Sequence, residues 1–551
     1  MEPNPKLTKR GYSNQPTSGV ESASPAPSVV GAPAVLHGKR EEFDYIVVGA
    51  GSAGCVVASR LMEDHDLSVL LLDAGGPDDK REIHDPAGYL LLQGPQSGVD
   101  WNYLTEEEPN LNRRRIPWPR GKVLGGSSSI NFMIYIRGHR LDYDRWNCLG
   151  NDGWNYDEVL PWFKKSEDNE RGACAYHGVG GPLSVTTPRS RDSICSAFVA
   201  AAGQLGFSGA EWDFNGEKQE GVAGFYQKTI KSGRRHSAAA AFLTPHLSRA
   251  NLKIQTRAPA TRLIIEGKRV VGVEYRKDGE IRQARARREV IVSSGAVESP
   301  KLLLFSGLGP AEQLRAHGVN VVADLPGVGQ NLQDHLMLPI AYAVNKPPPS
   351  EADLESAGLF LRSRETATAE SPNLQFMFIP FLSAPEFKAL NVPLPVFCLF
   401  PTLTRPRSSG SISLKSANPL DPPLIRAGYL QHESDLRVLM ESVELTRALV
   451  NNRAFDEWRG VAIDQWPLAK TDSEIRAQIR NTATTMYHPA GTCKMGTDAD
   501  AVVDPQLRVH GIEGLRVADA SIMPTVVNGN TNAACIMIGE KAADMIRKSR
   551  A

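Results

Sequence analysis

The stretch FDYIVVGAGSAGCVVASRL, residues 43–61, decides the fold. Its first six residues are mostly apolar and predict a buried parallel strand, which a glycine-rich turn follows directly. Residues 55–61 then carry small and apolar side chains at helical spacing, and a second apolar run at residues 68–72 predicts a neighbouring strand that ends at Asp73. This order of strand, glycine turn, helix and strand is typical of an α/β domain that binds an adenine dinucleotide.

The residue types in this unit match the chemistry of such a ligand. Gly49 makes the tight turn, Gly51 lets the backbone approach a pyrophosphate, and Gly54 lets the helix pack closely on the strand. The helix N-terminus offers free N–H groups and partial positive charge to phosphate oxygens. Asp73 is placed to accept hydrogen bonds from ribose hydroxyls, and no arginine follows within a few residues to favour a 2′-phosphate. The unit alone does not choose between NAD and FAD.

Composition disfavours several other classes of protein. The chain has 551 residues, enough for several domains or one large discontinuous pair. Its 62 Lys and Arg balance 62 Asp and Glu, so nucleic acid is not an expected partner. No apolar run reaches the roughly 18 residues that a transmembrane helix needs. The seven cysteines form no C-x-x-C pair, so we expect neither a metal site nor a disulfide framework.

The N-terminal segment differs from the rest of the chain. Residues 1–40 contain six Pro and five Ser but few large apolar side chains, so burial cannot offset the entropy of ordering them. We therefore predict a disordered leader over residues 1–42. Because Ser is frequent and acidic residues are few, an organelle transit peptide is an alternative interpretation.

Three further segments point to a known family. Residues 121–131 (GKVLGGSSSIN) and 295–309 (GAVESPKLLLFSGLG) are small-residue loops, and residues 326–335 (PGVGQNLQDH) read as a hinge. Together with C-terminal blocks at residues 486–492 and 528–532, they resemble the glucose–methanol–choline (GMC) oxidoreductase family. The resemblance extends from about residue 43 to about residue 547.

The resemblance implies FAD and an α/β fold in two parts. One part is a Rossmann-like FAD-binding domain, assembled from residues 43–165, 226–330 and 484–551. The other is a substrate-binding domain, residues 166–225 and 331–483, built on a mostly antiparallel sheet. Independently, short aromatic and β-branched runs at residues 374–379, 396–400 and 411–414 predict strands.

By resemblance, the catalytic pair is His488 and Asn532. Asn532 fits the family position that is Asn or His better than Asn528 or Asn530 does. A neutral imidazole can accept the hydroxyl proton of an alcohol while the carbon-bound hydride goes to flavin N5. The amide can bind the substrate oxygen and fix its orientation without titrating. Residues 533–546 predict a helix, whose positive N-terminal end the family places at the flavin.

The resemblance also implies the cofactor contacts, which lie in the first turn, the later glycine loops and the C-terminal blocks. They are Gly49, Gly51, Ser52, Ala53, Gly54, Asp73, Ala74, Trp101, Leu124, Ser128, Asn131, Ala260, Asp519, Ala520 and Thr531. Residues 121–131 form the second glycine loop of the chain, after the turn at Gly49. Some relatives attach FAD through a His directly before the Asn of this loop, which is Asn131 here. Ile130 occupies that position here, which predicts noncovalent FAD.

The resemblance also implies an alcohol as substrate and O2 or a quinone as electron acceptor. Five phenylalanines either line an apolar pocket, which favours an aliphatic or aromatic primary alcohol, or are core residues; they are Phe376, Phe378, Phe381, Phe397 and Phe400. No carboxylate can be assigned to the trimethylammonium group of choline, although the pattern is similar to that of choline dehydrogenase-like bacterial members. Residues 345–371 form either a lid over the substrate entrance or a surface connection.

Other functions and locations stay open at this stage. Two are non-oxidative members of the family, a hydroxynitrile lyase and a fatty-acid photodecarboxylase. Asn at position 532 counts against the lyase, and His488 counts against the photodecarboxylase. The third is an FAD-binding module without catalysis. We expect a cytoplasmic enzyme, with organelle targeting or peripheral membrane association as alternatives.

Overall fold

In the computed structural model, the strand predicted at residues 43–48 runs from Glu41 to Val48 and lies inside a seven-stranded sheet, the first sheet. The strands are, in spatial order, Leu252–Gln255, Val69–Leu72, Glu41–Val48, Glu280–Val292, Arg269–Lys277 and Ala260–Glu266, and Leu515–Val517 also pairs with Glu280–Val292. The strands on both sides of Glu41–Val48 are parallel to it, as the sequence predicts. Their carboxyl ends therefore lie at one edge, where a doubly wound sheet binds its ligand.

The structure describes residues 41–187, 193–207, 212–346, 356–367, 370–382, 395–463, 466 and 469–549. The predicted leader lies outside these residues, except that Glu41 and Glu42 already belong to the first strand. In the described part of the chain, no helix combines the length and the apolar character that a membrane crossing requires.

The second sheet has eight strands, and every pairing in it is antiparallel. The strands are, in spatial order, Arg459–Ala462, Ile340–Val344, Val396–Leu403, Leu374–Leu382, Ala357–Leu361 and Ala223–Phe225, with Leu336–Met337 joining Val396–Leu403 to Thr484–Thr485. The predicted α/β fold with a second, mostly antiparallel sheet is confirmed.

Helices cover both sheets. They are Ser52–Leu61, Arg81–His84, Arg140–Cys148, Tyr156–Ser166, Ser193–Gln204, Gly295–Phe305, Ala311–Ala316, Glu433–Val450, Asp472–Thr482 and Asn532–Lys548. Among the residues that the structure describes, five two-stranded ribbons complete the strands: Tyr103–Leu104 with Pro117–Trp118, Glu167–Asn169 with Leu183–Val185, Ile230–Lys231 with Arg234–Arg235, Leu308–Gly309 with Ala323–Asp324, and Ser411–Ser413 with Leu424–Arg426.

The C-terminal helix, Asn532–Lys548, packs on the first helix, Ser52–Leu61. Glu540 is fully buried between them and forms ion pairs with Arg60 and Lys165, so its charge is compensated. This packing sets the N-termini of both helices close to each other at the candidate site, where the Ser52 hydroxyl bonds to Asn532.

One segment differs from the sequence-based interpretation. The sequence predicts a lid or a surface connection at residues 345–371, but Ala357–Leu361 is a buried inner strand of the second sheet. The apolar run AGLFL explains this, because it pairs on both sides and buries both of its faces. Residues 347–355 and 368–369 lie outside the described residues.

Candidate active site

Two paired strands bring His488 to the candidate site. Leu336–Met337 pairs with Thr484–Thr485, so His335, directly before the first strand, lies beside His488, three residues after the second. The two imidazoles meet at 2.9 Å between their Nδ1 atoms, with ring planes at 89°. His335 is completely buried.

The amide beside this imidazole belongs to Asn530. Its Nδ2 lies 3.2 Å from Nε2 of His488, and its Oδ1 is buried without a hydrogen-bond partner. Asn532, which the sequence pairs with His488, is instead the first residue of the C-terminal helix, and its Oδ1 accepts a hydrogen bond of 2.7 Å from the Ser52 hydroxyl. The structure therefore differs from the predicted pair, because the start of the helix turns Asn532 toward the first helix.

The protonation of His488 follows from these contacts. Burial lowers its pKa well below the ordinary value, and the nearby His335 and Arg120 lower it further. Burial also lowers the pKa of His335 to about 3. Because an amide nitrogen only donates, Nε2 of His488 accepts and the proton of the neutral ring sits on Nδ1, where His335 accepts it. Nε2 is thus the basic atom of the site.

Asp334 holds the backbone of this turn in place. Its Oδ1 accepts the backbone N–H of His488 at 2.8 Å, and its Oδ2 accepts hydrogen bonds from the hydroxyls of Thr485 and Tyr429. Tyr487, just before the histidine, has a φ of +67°, a conformation that costs energy for a non-glycine residue. Such a conformation persists where the surroundings fix it, and here it aims the imidazole into a cavity.

A single cavity of about 380 Å³ connects His488 with the glycine turn of the first sheet, a volume typical of cofactor and ligand sites. Of the residues predicted to bind the cofactor, those in its wall are Gly49, Gly51, Ser52, Ala53, Asp73, Ala74, Trp101, Asn131, Ala260, Asp519, Ala520 and Thr531. Gly54 packs helix against strand beneath it, since an added Cβ would stand 1.9 Å from the Gly49 carbonyl oxygen.

Leu124 and Ser128 are placed differently from the prediction. Leu124 belongs to the hydrophobic core of the first sheet. Ser128 is buried, donates its hydroxyl to the Gly125 carbonyl at 2.6 Å and accepts the Ala238 N–H at 2.9 Å. Both residues therefore hold the shape of the second glycine loop. Its part of the cavity wall consists of Gly121, Gly126, Ser127, Ile130 and Asn131.

The cavity end at the first sheet is built from backbone. Gly51 precedes the first helix with φ −80°, and the nearest atom to an added Cβ is 3.9 Å away, so its open side faces empty space. Gly51 and Thr531, which precede the first and the C-terminal helix, supply no side-chain cap. The uncapped N–H groups of both helices thus open onto one cavity, the arrangement that a pyrophosphate and an electron-rich ring require.

Asp73 is the acidic residue of this end. It is buried, and its two carboxylate oxygens accept the N–H groups of Ala50 and Gly75, each at 2.7 Å. Burial raises its pKa to about 6, against the opposing effect of these two hydrogen bonds. Each oxygen keeps a free lone pair for a ribose hydroxyl. The glycine cradle, the helix N-termini and Asp73 together fit an adenine dinucleotide.

The other end of the cavity is apolar, and the alternation of the second sheet explains which residues line it. In Leu374–Leu382, Phe376 and Phe378 point into the core, while Met377 and Ile379 line the cavity. Phe397 also belongs to the core, and Phe400 belongs to the cavity wall. The side chain of Phe381 lies outside the described residues. Of the two interpretations that the sequence allows, the core position thus holds for three of these phenylalanines and the apolar pocket holds for Phe400.

Comparison with known proteins identifies the family of the chain. The GMC oxidoreductase family profiles match residues 43–337 and 406–539. The chain belongs to the GMC oxidoreductase family. It is 42% identical over 532 residues to an oxygen-dependent choline dehydrogenase of Brucella canis, covering 92% of this chain and 95% of that one. It is 43% identical over 542 residues to the mitochondrial choline dehydrogenase of Homo sapiens, covering 92% and 90%.

Solved GMC structures share the whole fold. A pyridoxine 4-oxidase from Mesorbium loti superimposes with a TM-score of 0.83 at 33% identity, covering 91% of this chain and 98% of that one. A formate oxidase superimposes with a TM-score of 0.84 at 28% identity, covering 93% and 99%. As a GMC oxidoreductase, the protein is an FAD-dependent enzyme, and the cradle described above is where its residues fit the FAD.

Proposed function

We propose that the protein oxidises the CH–OH group of a primary alcohol to an aldehyde, with His488 as the base that takes the hydroxyl proton. The observation that carries this proposal is the neutral, buried imidazole whose Nε2 faces the cavity beside the Asn530 amide. FAD, when bound, supplies the acceptor for the hydride that leaves the same carbon. Proton and hydride together account for the two electrons and two hydrogens removed.

Each neighbouring residue has a separate task in this proposal. A hydroxyl that enters between Nε2 of His488 and Nδ2 of Asn530 donates to the first and accepts from the second. Asn530 thereby orients the alcohol and stabilises the negative charge that develops on its oxygen. His335 positions the base, because it accepts the Nδ1 proton and so selects the tautomer with a free Nε2. Asn532 is proposed to support FAD binding instead, because its side chain bonds to Ser52 in the cofactor cradle.

We also propose that FAD is held without a covalent bond. Ile130, which lines the cavity in the second glycine loop, has no nucleophilic atom with which to attach a flavin. Acid precipitation is expected to leave the yellow colour in the supernatant. A yellow pellet would contradict this part of the proposal.

The test is flavin reduction by an alcohol without oxygen, followed by stopped-flow absorbance in the wild-type enzyme and in His488→Ala. Loss of a general base is expected to slow the reduction by about 10²–10⁴-fold while FAD stays bound. His65→Ala is the control, because His65 is exposed and bonds to Arg249 outside the cavity wall. Reduction of the His488→Ala flavin at near wild-type rate would overturn the proposed base.

The same preparation separates the other functions. A lyase releases cyanide without bleaching the flavin, a photodecarboxylase needs blue light and a fatty acid, and a non-catalytic module does neither. Repeating the reaction in air and measuring peroxide distinguishes O2 from a quinone as acceptor. Choline is the substrate named in the relatives, and it is therefore the second candidate among the alcohols.

A further inference from the structure

A buried arginine lies directly behind the second glycine loop. Arg235 ends the short strand Arg234–Arg235, and only 2% of its surface is exposed. Its Nε donates to the Ile83 carbonyl at 2.7 Å, and its Nη1 donates to the Asn131 carbonyl at 2.6 Å and to Oδ1 of Asn131 at 2.8 Å. Its Nη2 is buried and donates to no group of the described chain. The guanidinium is thus anchored to the loop and keeps an unused donor.

No negative charge compensates this guanidinium. The atoms that accept its hydrogen bonds are all neutral carbonyl oxygens. Among the residues that the structure describes, no carboxylate forms an ion pair with it or raises its pKa. Burial alone lowers the pKa of Arg235, to about 10, so the side chain stays positively charged at neutral pH.

The other arginines that are buried as deeply have acidic partners. Within the described part of the chain, these are Arg137 and Arg516, which are 1% and 3% exposed. Each forms an ion pair of 2.6 Å, the first with Glu167 and the second with Glu289. A buried charge without a partner is costly, so the exception at Arg235 calls for a counter-charge from outside the chain. The nearest place for one is the cavity that Asn131 lines.

The bonds from Arg235 also fix the orientation of the Asn131 side chain. Oδ1 of Asn131 accepts Nη1 of Arg235 and, at 3.0 Å, the backbone N–H of Met133. Both partners are donors, so the atom that they contact is the amide oxygen, and both of its lone pairs are used. The Nδ2 group is consequently turned away from Arg235. Because Asn131 lines the cavity, its two N–H donors are available to a ligand there.

We propose that Arg235 is a positioning residue for the flavin, which holds the Asn131 amide toward the cavity and adds a positive charge that favours reduced FAD. FAD fits the missing partner, because two-electron reduction leaves negative charge on its ring system, and a fixed positive charge nearby stabilises it. The inference deepens the proposed function, since it takes the predicted contact of Asn131 with FAD as its premise. It does not involve His488, so the two can fail separately.

The test measures the reduction potential of the bound flavin against reference dyes, without any alcohol, in the wild-type holoenzyme, Arg235→Met and Arg235→Lys. Methionine removes the charge, whereas lysine keeps it. We expect the equilibrium constant for reduction to fall about tenfold or more in Arg235→Met, which lowers the potential by about 30 mV or more. In Arg235→Lys it is expected to stay within about threefold of wild type. An unchanged potential in Arg235→Met, or an equal fall in both variants, would overturn the inference.

Arg114→Met is the matched control for the loss of a partly buried arginine. Arg114 donates to the backbone carbonyls of Arg480 and Ala483 and lies outside the cavity wall. Its replacement is expected to leave the potential at the wild-type value. A fall as large as that in Arg235→Met would assign the effect to lost packing rather than to charge, and the inference would be wrong.

A second variant decides the matter if Arg235→Met does not retain its flavin. Asn131→Asp places a carboxylate within hydrogen-bond distance of the guanidinium and neutralises its charge with Arg235 in place. The thermal midpoint of the apoprotein is expected to rise, because the buried cation gains a partner, while the equilibrium constant for flavin reduction falls about tenfold or more. A midpoint that does not rise, or a potential that does not fall, would contradict the proposal. A wild-type protein that takes up no FAD would instead overturn the cofactor site itself.

Discussion

The two ends of the cavity are built by different means. The end at the first sheet consists of backbone: a glycine turn, two uncapped helix N-termini and one carboxylate held by N–H groups. The end at the second sheet consists of side chains that come from distant parts of the chain, such as His335 and Asn530. At Gly54 the backbone leaves no room for an added atom, whereas the side chains of the second end can change without a change of fold. We therefore expect the first end to control whether FAD binds and the second end to control which alcohol is oxidised.

The largest effect is expected at Gly54. An added Cβ would stand 1.9 Å from the Gly49 carbonyl oxygen, a backbone atom that cannot move without opening the turn. Gly54→Ala is therefore expected to give protein without FAD and with a lower thermal midpoint. The ratio of flavin to protein absorbance and a thermal melt measure these two quantities.

Gly51→Ala is the matched variant, because it adds the same methyl group three residues away. Gly51 has φ −80° and no atom within 3.9 Å of the added Cβ, so the fold accepts alanine. The apoprotein is expected to melt like wild type, while FAD affinity falls roughly 10–100-fold because the methyl occupies the phosphate cradle. Wild-type FAD affinity in Gly51→Ala would show that the pyrophosphate lies elsewhere.

The first end could be predicted from the sequence in detail. Gly49 has a φ of +101°, and an added Cβ at Gly54 would clash with the backbone. Both positions therefore require glycine, and the glycines can be read directly from the sequence. Asp73 follows its strand directly and is found at the carboxyl edge of the sheet, as the pattern predicts. The sequence near each of these residues is enough to predict its position, because that position depends on the local backbone conformation.

The second end could be predicted only in part. Phe378 and Phe400 both lie in short apolar runs of the sequence. Phe378 stacks on Phe198 in the core, whereas Phe400 lines the cavity. The strand on which each phenylalanine lies and the face of the sheet that it occupies decide this difference. Asn530 and Asn532 differ by two positions, and only the start of the C-terminal helix decides which one meets His488. His335 ends the hinge-like segment 326–335, but its contact with His488 depends on a pairing between strands far apart in the chain.

The next largest effect tests whether Asn530, rather than Asn532, is the partner of His488. Asn530→Ala removes the donor beside Nε2 of His488, and loss of one such donor is expected to lower kcat by about 10²-fold with FAD still bound. Asn532→Ala removes an amide whose oxygen accepts from Ser52, so it is expected to change FAD affinity more than kcat. Stopped-flow flavin reduction and FAD titration separate the two. The reverse outcome would restore Asn532 as the partner of the base.

The smallest expected effect is a shift in the pH dependence of flavin reduction. Only neutral His488 can accept a proton, so the rate falls on the acid side as pH drops through its pKa. Burial keeps that pKa well below the ordinary value, and the positive Arg120 lowers it further. Removing the charge in Arg120→Met raises the pKa, so the acid-side loss of rate is expected to begin at a higher pH than in the wild-type enzyme.

Arg120→Lys is the matched control, because it keeps the positive charge and loses the guanidinium shape. Its acid limb is expected to coincide with that of wild type, whereas a shift in both variants would assign the effect to shape. Arg120 lines the cavity, and its backbone N–H donates to the Asp100 carboxylate. An acid limb that does not move in Arg120→Met would mean that burial alone keeps the base neutral. The charge of Arg120 would then have no effect on proton transfer at His488, and the side chains that bury the imidazole would alone set its protonation.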